Sequence, residues 1–257
     1  MLTLTQNFIV VAATVIGSLL FMVVLNRLWP WEKRRNHNDL IGWQLSILGT
    51  TYAVIVGFML YAVWTAFGEA TLNADLESNS VVNVYHLAHG LPEPQSAQLE
   101  ALARSYAEGA INGDWPQMAR GQVPEKSVEI NKEMWRVAMS VRAATSSEQT
   151  AEDHVLSELI ALSQHRMTRL MESTYRLPSV LWSVLLVGGI LTIVSACTFG
   201  SESTKLHALQ VFSFSLLISL SLVAITDIHR PFQGLIHVSD YAFRRAQQNM
   251  QPRLELH

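Results

Sequence analysis

The chain has 257 residues, of which 49% are hydrophobic and only 15% are Asp, Glu, Lys or Arg. Ordinary soluble domains carry about 25% charged residues, so this composition argues for a membrane protein and against a cytosolic enzyme or a disordered chain. A net charge of −3 lacks the clustered positive excess of a nucleic-acid binder, so no nucleic-acid partner is expected. The single cysteine, Cys197, rules out an intrachain disulfide and a cysteine-based zinc site.

Four stretches without Asp, Glu, Lys or Arg are long enough to cross a bilayer, which takes about 20 residues. They are Phe8 to Leu25, Leu40 to Gly68, Leu177 to Ser201 and Leu206 to Thr226. Each is a continuous apolar run and not an alternating one, so the expected fold is all-α, with four transmembrane helices. The leader Met1 to Asn7 has no Lys or Arg, so the first run reads as a retained helix and not a cleaved signal. Trp29, Trp31, Trp43, Trp64 and Trp182 sit near the span ends as interfacial anchors.

The second span carries two four-residue series. Gly49, Ala53 and Gly57 form a small-residue stripe, and beside it run Thr50, Val54 and Phe58. Small stripes let helices approach closely in lipid, which fits a packed bundle helix. The same pattern fits a pore helix, with copies packing through the stripe while Thr50, Val54 and Phe58 narrow a conduit. Hydrophobic constrictions of that kind gate by dewetting. No acid or base lies within the spans, which counts against a coupled transporter. In the fourth span, Ser213, Ser215, Ser219, Ser221 and Thr226 are read as hydrogen-bonding between helices, with a polar cavity lining as the alternative.

Between the second and third spans, residues 69–176 hold 15 of the 21 acids and nine of the 18 bases. This block reads as helical and outside the membrane. Glu69 to Ala88 lacks Pro and Gly, so the second helix is expected to project beyond the bilayer. Leu99, Leu102, Ala103, Tyr106 and Ala110 mark a further helix. Val128, Trp135, Met139 and Arg142 mark another. In a third, Val155, Leu159 and Leu162 run beside a second apolar series, Leu156, Ile160, Met167, Leu170 and Met171. Thr145 and Glu148 form a capping box at its start. Breakers fall at Gly90 to Pro94, Asn112 to Pro116, and Gly121 with Pro124.

The domain division is therefore 1–68 (two spans), 69–176 (helical block), 177–226 (two spans) and 227–257 (an extramembrane tail). The final Leu254 to His257 is given no role. His86 and His89, with Glu93 nearby, could share a metal, but they read as solvated surface residues, and no metal site is assigned. His229 and His237 flank a Pro-Phe turn and read as structural. No nucleophile-elbow, zinc-protease or phosphate-loop motif is present. No catalytic residue and no cofactor is therefore assigned. Basic residues near the membrane are evenly split between the two faces, so charge alone does not orient the chain.

Three segments together carry a resemblance. They are Tyr52 to Trp64 with Glu69-Ala70, then Arg176-Leu-Pro178-Ser-Val-Leu-Trp182, and finally Asp227-Ile-His-Arg230-Pro231-Phe232-Gln-Gly234. The pattern resembles the bacterial bestrophin-like proteins of the domain-of-unknown-function 4239 family over residues 8–245, most specifically in Asp227, Arg230, Pro231, Phe232 and Gly234. More distantly it is similar to the bestrophins, pentameric anion channels whose second helix lines a hydrophobic neck containing a Gly-Phe pair. Val56-Gly57-Phe58 is similar to that neck. The resemblance implies a homo-pentameric channel for small ions in the inner cell membrane, with the pore at Thr50, Val54 and Phe58. It also implies that both termini and residues 69–176 are cytosolic. The Arg-aromatic pair that follows the bestrophin neck is replaced here by Ala66-Phe67. The alternative reading is a non-conducting membrane scaffold or sensor whose helical block binds a partner. A lipid-modifying enzyme is a third reading, disfavoured because no polar cluster is found for it.

Overall fold

The computed structural model describes residues 4–251, which places Leu254 to His257 outside the described residues. It is 81% helical, without strands among those residues. Ten α-helices follow one another: α1 (Leu4–Leu28), α2 (Trp31–Arg35), α3 (Asn38–Ala88), α4 (Gln95–Gly109), α5 (Trp115–Ala119), α6 (Lys126–Ala138), α7 (Ser146–Thr174), α8 (Ser179–Thr198), α9 (Thr204–Ile228) and α10 (Tyr241–Asn249), with a π turn at Ala110–Asp114. Helices α1, α3, α8 and α9 are long and apolar enough to cross a membrane. Two compact units form, Met1–Thr65 with Arg176–His229, and Ala66–Tyr175 with Arg230–His257.

In the first unit α1, α8 and α9 pack on one another. Their lipid-compatible surfaces stay apolar, as Phe8, Leu20, Val187 and Leu217 show by being largely exposed. Two glycines set close approaches. A Cβ on Gly188 would lie 2.6 Å from the Tyr52 ring, so the glycine makes the seat on which that ring rests. A Cβ on Gly200 would lie 2.6 Å from the backbone nitrogen of Arg35. Around Gly200 the two short connections are tied together. Asn38 Nδ2 donates to the Gly200 carbonyl at 2.7 Å, and the Gly200 N–H donates to Asn38 Oδ1 at 2.8 Å. Arg34, fully buried, donates to the Cys197 carbonyl at 2.8 Å and to Asn26 Oδ1.

In the second unit α4 packs on α6 and α10, and α6 on α7. Leu99, Tyr106, Met118, Met134, Leu159 and Phe243 are completely buried there. The capping box at Thr145 and Glu148 forms with both of its hydrogen bonds. Three details differ from the sequence pattern. The Asn112 to Pro116 stretch does not break the chain. It stays helical through the π turn and α5, because Pro116 falls in the first turn of α5, where no backbone donor is needed. Helix α6 ends at Ala138 and buries Asn131, Met134 and Val137, leaving Met139 71% exposed. On α7, Val155, Leu159 and Leu162 are buried in the core, while of the second series Leu156 packs at the core's edge and Ile160, Met167 and Met171 are exposed.

Candidate functional site

Within the first unit, α3 divides sharply by azimuth. At 100° per residue, Tyr52, Val56, Met59 and Val63 share one face, and all are buried. Thr50, Val54 and Phe58 fall on the opposite face. Val54 is 52% exposed, Phe58 71% and Tyr61 69%, so this face turns away from the packing of the protomer.

Gly49, Ala53 and Gly57 lie between the two faces. They line a groove of about 340 Å³ whose other wall includes Phe214, Leu217 and Ser221 of α9. An added Cβ on Gly49 or Gly57 would meet nothing within 4 Å. Inside one protomer the small stripe is therefore the floor of an open groove and not a helix-packing contact. A second apolar groove, about 410 Å³, lies on the other side of Tyr52, against Val184, Val187 and Leu191 of α8.

On α9 His207 reaches across to the Ala196 carbonyl of α8 at 3.1 Å, but the five hydroxyls of the serine series do not reach neighbouring helices. Ser213, Ser221 and Thr226 donate to carbonyls four residues back, and Ser215 and Ser219 to carbonyls three back. This corrects the expectation of inter-helix hydrogen bonds. In an apolar medium a hydroxyl finds its nearest acceptor on its own helix.

The segment Asp227 to Gly234 straddles the end of α9 and the turn after it. His229 directs Nδ1 at the Thr226 carbonyl at 2.7 Å, and its ring meets Trp182 edge-on at 5.6 Å, within the first unit. In the second unit the turn closes through Val238 N–H to the Pro231 carbonyl at 2.7 Å. Gly234 has φ +94°, a conformation that side chains avoid, which explains the glycine. Phe232 is buried edge-on against Trp115 at 5.8 Å, and the Trp115 indole donates to the Val238 carbonyl at 3.0 Å. Pro231, Phe232 and Gly234 thus shape and anchor one turn.

The largest polar feature went unread in the sequence. Arg169 on α7 is completely buried. Its Nε and Nη2 donate to Glu77 Oε2 and Oε1 at 2.7 and 2.9 Å, and Nη2 also donates to Asp114 Oδ2 at 2.9 Å. The Tyr106 hydroxyl donates to Glu77 Oε1 at 2.7 Å, and the guanidinium lies 5.0 Å from the Trp115 ring centre. Burial alone lowers the guanidinium's pKa. The charge and hydrogen bonds of Glu77, with Tyr106 and Asp114, outweigh this and hold it above its ordinary value. Burial, with the charge of Glu77, pushes Tyr106 well above the usual phenol range. Glu172, on the next turn of α7, is raised to about 7, by burial first and then by the charges of Glu69 and Glu77. The π turn places Asp114 in this network, and no short motif marks such a turn.

Arg34 in the first unit and Arg169 in the second are both buried and hydrogen-bonded to partners. His86 and His89 lie beside Tyr85, with ring centres 6.3 Å apart, and His89 reaches Glu100 at 3.7 Å. Among the described residues no group of three His, Cys, Asp or Glu could hold a metal ion. A family model described as Bestrophin-like domain matches residues 12–243. No curated protein matches the chain.

Proposed function

The chain belongs to the bestrophin-like family, and on that premise we propose that it is a homo-oligomeric channel, pentameric by family resemblance, that passes small anions along α3. The observation that carries the reading is the exposed face of Thr50, Val54 and Phe58 in a helix whose opposite face is packed. In a ring of copies that face borders a shared axis, and Phe58 supplies the bulkiest constriction. An uncharged, apolar neck of this kind conducts when wetted and closes when dry. The open floor at Gly49 and Gly57 gives a neighbouring helix room to approach. The reading carries the further proposal that residues 69–176 and both termini lie on the cytosolic side of the inner membrane.

Purified protein in liposomes tests it. Chloride flux above that of empty vesicles, lost when Ala53 or Gly57 is made bulky and increased by Phe58→Ala, supports the channel. Flux equal to that of empty vesicles turns the reading to a non-conducting scaffold.

A further inference from the structure

The second unit holds a cavity of about 440 Å³ between the π turn with α5 and the turn that leads into α10, a volume typical of small-molecule sites. Its floor is apolar and rigid. Ile111, Trp115 and Phe232 are 6%, 8% and 3% exposed, and Pro116 completes the wall. Trp115 cannot swing away, because its indole N–H is held by the Val238 carbonyl and its ring by Phe232 and Phe243.

The rim is polar, and its hydrogen-bonding capacity is only partly used. Arg244 gives Nε and Nη2 to the same oxygen of Asp240, at 3.0 and 2.7 Å. Asp240 thereby fixes the guanidinium's direction and leaves Nη1 without a hydrogen bond. The Ser239 oxygen accepts from the Tyr241 N–H at 3.2 Å, so its own proton remains to be donated. Among the described residues the Asn112 side-chain amide makes no hydrogen bond. His237 Nδ1 lies 3.2 Å from the Gly234 carbonyl and donates to it, so in the neutral ring Nε2 is an acceptor and not a further donor. Arg244 engages one Asp240 oxygen and leaves Oδ1 as an acceptor at the rim, beside the donors Arg244 Nη1, the Ser239 hydroxyl and the Asn112 amide.

From this arrangement we propose that the cavity is a binding site for a small organic monocarboxylate, whose carboxylate meets Arg244, Ser239 and Asn112 and whose apolar body rests on Ile111, Pro116 and Trp115. The apolar floor at Ile111, Pro116 and Trp115 favours a ligand with a carbon body over a bare inorganic anion. A guanidinium already ion-paired with Asp240 suits a single negative charge better than a phosphate dianion. The site lies wholly in the second unit and does not depend on whether the chain conducts.

Titration calorimetry on the full-length protein in detergent, with benzoate as probe and benzamide as its uncharged analogue, tests the proposal. Saturable benzoate binding at one per chain is expected, with benzamide at least about tenfold weaker, as loss of a charge-assisted hydrogen bond requires. Arg244→Gln should weaken benzoate by about tenfold or more, while Ser239→Ala should weaken it by a few-fold. The Arg244 side chain is exposed, so an unchanged melting curve verifies the fold of that variant. No saturable heat with benzoate, equal binding of benzoate and benzamide, or unchanged affinity in Arg244→Gln would each overturn the site.

Discussion

The two units hold their polar and apolar groups in opposite ways. The membrane-type unit leaves large apolar side chains uncovered, Phe58 and Leu217 among them, and turns its hydroxyls back onto their own helices. The second unit buries a full ion network, Arg169 with Glu77 and Asp114, and completes it with the Tyr106 hydroxyl. The first arrangement is stable where the surroundings are apolar. The second is stable only where every buried charge has its partner. The contrast identifies which substitutions each unit tolerates.

The largest effect is expected in the second unit. Arg169→Ala leaves Glu77 and Asp114 buried without their counter-charge, and should cost about 3–5 kcal/mol. Hydrogen exchange of α4 to α7 reads the loss directly. Replacing Arg169, Glu77 and Asp114 together by apolar residues of similar volume should recover most of it. No recovery would mean that the site depends on shape and not on charge.

In the first unit the vulnerable points are close approaches. Gly200→Ala drives a methyl group into the Arg35 backbone and should cost about 1–3 kcal/mol, seen as a lower melting temperature in detergent. A melting temperature equal to that of the wild type would show that the connection relaxes. Gly57→Ala faces open space in the protomer and should stay within about 0.5 kcal/mol for folding. Its effect is expected in assembly, as a shift in oligomer size by light scattering.

A smaller effect separates the units by pH. The Glu172 carboxyl sits at about 7 in the folded chain against an ordinary value of 4.5. The folded state therefore keeps a proton that the unfolded chain releases between those values. Stability of the second unit should be undiminished below about 4.5 and fall as pH rises through 7. Because the group is only half-buried, the fall should be about 1 kcal/mol. Glu172→Gln should flatten that slope in thermal melts from pH 5 to 8, and a slope unchanged by the substitution would assign it to other groups.

The contrast also explains what the sequence made legible. Four uncharged runs of bilayer length leave little choice but helices, and each run matches its helix to within four residues at either end, except where α3 continues to Ala88. Azimuth on α3 was equally readable, because Tyr52 and Val56 are separated from Val54 and Phe58 by helix geometry alone. The ion network was not. Glu77, Asp114 and Arg169 are 92 residues apart at the widest pair, and each taken singly is an ordinary charge on a helix. Nor does the Val155 series differ from the Met167 series by pattern, since amphipathic spacing does not say which of two apolar faces finds a partner. The open groove at Gly49 and Gly57 was likewise invisible, because a small-residue stripe has the same spacing whether it is filled or empty.

The central claim, that Phe58 borders a water-filled axis shared by several copies, has one direct test. Cys197 is the only native cysteine and is buried, so Phe58→Cys carries a single accessible thiol. In chloride-flux liposomes, a charged, membrane-impermeant thiol reagent should label that cysteine and change the flux, while leaving wild-type flux untouched. A thiol that reacts with a lipid-soluble maleimide but not with the charged reagent, with flux unaltered by either, would place Phe58 against lipid and contradict the account.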